Sequence, residues 1–95
     1  MSQKNLDSLK SSEPVPIHVN ENCQISFDSS QWMLQTRGSQ EASWVTRHYV
    51  ATYSRILFRI FEEMNIVPDP LGAELLSELP ETFNLWKEAN ANISQ

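Results

Sequence analysis

Apolar and polar residues alternate with a period of two through the first half of this chain, then recur at helical spacing through the second. Val15, Ile17 and Val19 alternate with Pro16 and His18, which suits an edge strand where proline's missing donor is tolerated. After the turn-like Asn20, Glu21 and Asn22, residues 23–27 alternate again through Ile25 and Phe27, and Asp28, Ser29 and Ser30 form a second turn. In residues 31–37, Trp32, Leu34 and Thr36 share one face and Met33, Gln35 and Arg37 the other. A hairpin loop over residues 38–42 then leads to a strand from Ser43 to about Val50. Pairing Arg37 with Ser43 sets Thr36 against Trp44, Leu34 against Thr46 and Trp32 against His48, with Arg47 beside Met33 and Tyr49 beside Gln31.

A competing pattern runs through the same residues. Val45, Tyr49, Tyr53, Leu57, Ile60 and Met64 recur at spacings of a long helix over residues 40–65, which Ser39 would cap. The hairpin is preferred because Trp44, Val45, Thr46, Tyr49 and Val50 favour strands, and Thr52 offers a second cap.

From Tyr53 to Asn65 the pattern is helical on its own. Tyr53, Ile56, Leu57, Ile60, Phe61 and Met64 span one broad arc, with Arg55, Arg59, Glu62 and Glu63 opposite. Phe58 falls at the rim, a position suited to a contact residue or to cover by a later helix. Asp69 and Pro70 supply the cap and first residue of a leucine-striped helix through Leu71, Leu75, Leu76 and Leu79. Pro80 ends it and can begin a last helix from Glu81 to about Asn90, with Phe83 and Trp86 three apart. The expected fold is α+β: a small antiparallel hairpin or meander packed on one main amphipathic helix, with two short helices after it. Residues 1–14, rich in Ser, Lys and Asn, are expected as a flexible tail, residues 15–91 as one domain and residues 92–95 as a frayed end.

Charge changes this picture because it is partitioned. The net charge is −5, yet all four arginines, Arg37, Arg47, Arg55 and Arg59, lie in the middle third with only Glu41 against them between Trp32 and Phe61. From Glu62 onward Glu62, Glu63, Asp69, Glu74, Glu78, Glu81 and Glu88 face Lys87 alone. Such a split serves an anionic partner, a cationic partner or internal pairing. Arg59 has local candidates for pairing in Glu62 and Glu63.

Candidate chemistry is sparse. His18 and His48 are 30 positions apart, Cys23 is the only cysteine, and Gly38 and Gly72 are the only glycines, so no metal cage, disulfide or phosphate-cradling loop is expected and no cofactor is implied. Cys23 with His48 would make a nucleophile and base only if the fold brought them together, and the spacing of Glu74 and Glu78 is that of an acid/base pair or of a solvated helix face. Cys23 reads first as a small buried strand residue. No apolar run has membrane length, and no secretory leader is read at the start, so a cytoplasmic protein without membrane attachment is expected.

The expected function is therefore non-enzymatic: a protein-binding adaptor, inhibitor or regulator, with Arg37, Arg47, Arg55, Phe58, Glu74, Glu78 and Glu81 as the contact residues. An RNA or single-stranded DNA module using the Arg and aromatic hairpin is the second expectation, and a homodimer closed by leftover apolar rims is a further option.

Overall fold

The computed structural model describes residues 15–90. Its first half is a meander of four antiparallel strands in sequence order: β1 (Ile17–Asn20), β2 (Cys23–Phe27), β3 (Trp32–Thr36) and β4 (Val45–Val50). The second half is three helices: α1 (Ser54–Met64), α2 (Pro70–Ser77) and α3 (Phe83–Ala89). The α+β class follows directly, and the single long helix over residues 40–65 does not form.

The turns hold the meander because short polar side chains replace missing backbone partners. Asn20 Oδ1 accepts from the Asn22 amide at 2.8 Å, and Asp28 Oδ1 accepts from the Ser30 and Gln31 amides at 2.7 and 3.0 Å. These contacts, the Ser30 amide first and the Gln31 side chain second, hold the Asp28 carboxyl below its ordinary value. Between the turns β2 and β3 pair in plain register, with Ile25 opposite Leu34 and Phe27 opposite Trp32. One face of the sheet thus collects the apolar residues: Val19, Cys23, Ile25, Trp32, Leu34 and Val50 are all buried.

The helices supply the other half of that core through Leu57, Ile60, Phe61, Leu76 and Phe83. α1 starts after Tyr53, which has extended backbone and makes no side-chain cap bond, so neither Thr52 nor any hydroxyl caps it. It ends at Asn65 in the left-handed region with φ 58°, a conformation that asparagine tolerates better than most residues. Asp69 and Pro70 begin α2 as expected, with Asp69 Oδ1 accepting from the Gly72 amide at 2.7 Å. α3 begins two residues later than Glu81, because the Thr82 hydroxyl caps it through the Leu85 amide. Phe83 and Trp86 then stack into the strand core: the Trp32 and Phe83 rings meet at right angles with centroids 5.3 Å apart, and Phe27 lies 4.9 Å from Trp86. The segment leading into α3 is tied to the segment leading into α1, since the Ser54 amide donates to Glu81 O and the Phe83 amide to Thr52 O.

The hairpin register differs from the expected one. Thr36 pairs with Val45 and Gln35 with Thr46, but Leu34 pairs with His48, Met33 with Tyr49 and Trp32 with Val50. Arg47 is therefore an extra residue, a β-bulge opposite the step from Gln35 to Leu34. The physical reason is the inward face: Val50 must bury and Val45 shares that face, yet they are five positions apart, an odd count that regular alternation cannot satisfy. Tyr53 also departs from the expected apolar arc, since it remains exposed beneath the Arg55 guanidinium, 4.4 Å from its ring centroid.

Candidate functional site

The arginines and carboxylates, candidates for mutual neutralisation in the sequence, stay apart in the fold. Among the described residues, the single contact within 4.0 Å between a basic and an acidic side chain is His18 Nε2 to Asp69 Oδ2, at 2.7 Å. Arg59 thus makes no contact of that kind with Glu62 or Glu63, because all three point into solvent, where a pair of long side chains gains little.

Each remaining arginine does something different. Arg37 is half-buried and works as a clamp: its Nε and Nη2 donate to Glu21 O at 3.0 and 2.8 Å, its Nη1 donates to Gln40 O at 3.2 Å, and it lies over the Trp44 ring at 4.2 Å. It ties the long β3–β4 loop to the β1–β2 turn, leaving part of its donor fork for anything else. Arg47 is exposed and turns back over the sheet, where its Nε donates to Thr36 Oγ1 at 2.9 Å. Arg55, over Tyr53, is exposed.

The bulge decides what the outer face of the sheet presents. Thr46 opposes Gln35 and Tyr49 opposes Met33, so Thr46 and Tyr49 share a face although they are an odd number of positions apart. Trp44, two residues before Thr46, falls on that face as well. A polar row crosses it, with Gln24 donating to Gln35 at 2.7 Å and Gln35 donating to Thr46 at 3.1 Å. Beside the row lies a shallow hollow of about 360 Å³ whose lining includes His18, Gln24, Arg37, Gln40 and Trp44.

The two outer strands differ in cover. Along β1 the Asp69 amide donates to Val19 O at 3.0 Å, and the Asn20 side chain donates to Val67 O at 3.0 Å. Gly72 sits so close that a Cβ there would lie 2.0 Å from Val19 O. Asp69, shared between the Gly72 amide and His18, is held below its ordinary carboxylate value by those two contacts in that order. Among the described residues, β4 receives no such cover. Val45, Arg47, His48 and Tyr49 are all exposed, and Val50 alone is buried.

A third feature lies between α1 and α2. Phe58, which is 37% exposed and packs on Phe61, shares a hollow of about 480 Å³ with Ala73, Leu76, Leu79 and Glu62. Glu74, Glu78 and Glu81 are exposed nearby in sequence, on α2 and just after it. Seven contact residues were expected; the fold sets Phe58 beside Glu62, keeps Arg47 exposed on β4 and Arg55 exposed on α1, uses Arg37 as the loop clamp, and leaves Glu74, Glu78 and Glu81 exposed outside the lining of that hollow.

Catalytic pairings gain no geometry. Cys23 is buried, and burial pushes its thiol up to about 11, so it is protonated at neutral pH. It pairs with Thr36, while His48 pairs with Leu34 further along the sheet, and no hydrogen bond joins them. Glu74 and Glu78 are both solvent-exposed. No group of three potential metal-binding side chains occurs among the described residues, and none of their helices is long and apolar enough to cross a membrane.

The cover on β1 is the feature that sequence reading missed. Asp69 was readable as a cap, but its second contact with His18 joins residues 51 positions apart. The bulge did leave a signal in the odd spacing of Val45 and Val50. No family model, curated protein or solved structure matches the chain.

Proposed function

We propose that this chain is a non-enzymatic protein-binding module whose α1–α2 face receives a basic, apolar segment of its partner. The observation that carries the reading is an apolar hollow at Phe58, Ala73, Leu76 and Leu79 with Glu62 in its lining, a carboxylate that no basic side chain of the described residues contacts, on a helical half whose Glu74, Glu78 and Glu81 are exposed. An aromatic anchor beside unpaired charge is a common way for a small module to bind a helix with basic flanks. Adaptor, inhibitor and regulator all fit such a surface.

Affinity capture with wild type, with Phe58→Asp and with the Glu74→Lys/Glu78→Lys/Glu81→Lys triple variant tests it, with circular dichroism checking that each remains folded. The expected outcome is that both variants lose the same partner. Recovery of identical partners by all three proteins overturns the reading.

The bulge favours a second reading, a single-stranded nucleic-acid module. It aligns Trp44 and Tyr49 on the outer face with Met33 between the polar row and the strand end, which is the layout of a stacking platform. That reading requires oligonucleotide binding that weakens steeply with salt.

A further inference from the structure

An antiparallel strand gives half its backbone groups to one neighbour and points the rest away. β1 and β4 are the outer strands of this sheet, and among the described residues only β1 has its outward side met by another part of the chain. Among the described residues, no backbone group of Val45–Val50 is hydrogen-bonded from outside the ladder with β3. The side chains add no cover either: Val45 is 46% exposed and Tyr49 63% exposed, on opposite faces of the strand.

From these observations we infer that β4 is a docking edge that takes an acidic, extended segment of a partner protein as a fifth strand. Charge selects the occupant. From Ala42 to Phe61 the chain contains Arg47, His48, Arg55 and Arg59 and no Asp or Glu, and none of its own carboxylates among the described residues reaches these arginines. A second copy is disfavoured by the same charges. Two β4 strands paired antiparallel bring the Arg47 of each copy to the centre of the pair, and the register that sets Arg47 against itself places like charges directly opposite.

Bulges and charges on an outer strand ordinarily discourage indiscriminate pairing. Here the bulged Arg47 is drawn over the sheet by its bond to Thr36, so its charge sits beside the ladder and leaves the outward backbone groups open. The result is an edge that repels basic strands and its own kind while remaining open to a carboxylate-bearing one. This site is separate from the α1–α2 hollow and does not depend on it.

The test is a titration of the full chain with a labelled short peptide alternating Glu and Val, followed by anisotropy and by backbone amide NMR. The expected result is saturable binding that moves the amides of Val45–Val50 and leaves those of Ala73, Leu76 and Leu79 in place. A peptide N-methylated on the pairing edge, its Lys–Val counterpart and the Glu–Val peptide against Arg47→Glu should each bind at least about tenfold more weakly.

The proposal is overturned by no binding of the Glu–Val peptide, by equal binding of the N-methylated or Lys–Val peptide or of the Glu–Val peptide to Arg47→Glu, by shifts confined to α1 and α2, or by a dimer of the free chain with protected β4 amides. The α1–α2 reading concerns a basic segment and is tested by its own capture variants, so the two ideas fail separately. A single-stranded oligonucleotide that displaces the peptide while moving Trp44, Met33 and Tyr49, and not the strand's outward amides, assigns the surface to nucleic acid and also overturns it.

Discussion

β1 and β4 are both outer strands of one antiparallel sheet, yet the chain treats them in opposite ways. On β1 a loop and a helix close over the backbone, through the Asp69 amide on Val19 O, the Asn20 side chain on Val67 O and the close seat of Gly72. On β4 the chain turns away into α1 after Val50 and leaves Val45, Arg47, His48 and Tyr49 in solvent. Both strands carry a register shift, so irregularity alone does not decide cover. The helix that each strand meets makes the difference. β1 meets glycine-bearing α2, which is able to approach within backbone contact, whereas β4 runs into α1, whose bulky side chains pack from the core side. Cover on one side frees the other side to be specific.

The strongest way to break this contrast is Gly72→Ala. In most helix interiors that change stabilises by about 1 kcal/mol, because alanine is the better helix former. Here the added methyl meets Val19 O, C and Cα at 2.0 to 2.9 Å, and the backbone of β1 cannot rotate away as a side chain would. We expect a net loss of about 1–3 kcal/mol, from the overpacking cost. A thermal melt should fall by roughly 4–8 °C for each kcal/mol in a domain of this size. Added self-association would mark the β1 edge as newly uncovered. An unchanged or raised melting temperature would mean that α2 is not seated on β1.

Asp69→Asn is the milder probe of the same cover, since asparagine still caps a helix. The sign of its pH dependence follows from the lowered carboxyl of the folded chain, set first by the Gly72 amide and then by His18. A carboxyl with a lower value folded than unfolded adds stability above the unfolded value, and that contribution disappears as pH falls through the folded one. Wild type should therefore lose melting temperature on acidification more steeply than Asp69→Asn, and the two curves should converge below the carboxylate range. Parallel curves across that range would detach Asp69 from the covering of β1.

The smallest effect belongs to the open edge. Arg47→Glu removes one exposed hydrogen bond to Thr36 and should change stability by no more than about 0.5 kcal/mol. Denaturant unfolding measures this directly, and a loss well above that value would show the bulge to be a structural element instead of a free border.

How much of this was written in the sequence depends on how far apart the interacting residues lie. The meander was readable from Ile25, Phe27, Trp32 and Leu34, because alternation is a local property and their inward burial follows from it. Asp69 and Pro70 announced α2 for the same reason. The register of β4 was not, since a bulge adds a residue that periodicity counts as ordinary, and only the competing demands of Val45 and Val50 reveal it. Cover of β1 was less legible still. It rests on His18 with Asp69 and on Val19 with Gly72, pairs brought together by the path of the whole chain. Of the expected contact residues, the exposed placement of Arg47, Arg55, Glu74, Glu78 and Glu81 follows from polarity, whereas the clamp made by Arg37 required the carbonyls of Glu21 and Gln40 to meet it.

Arg47 can also be counted as a one-residue insertion. If it is struck out, Val45, Thr46, His48, Tyr49 and Val50 become consecutive and keep their present partners Thr36, Gln35, Leu34, Met33 and Trp32 in an unbroken ladder. The chain is thus a single deletion away from a straight, uncharged-edge version of itself with the same core. The two versions would differ mainly in what the border offers to other molecules, so the length of this strand is a setting of sociability more than of stability.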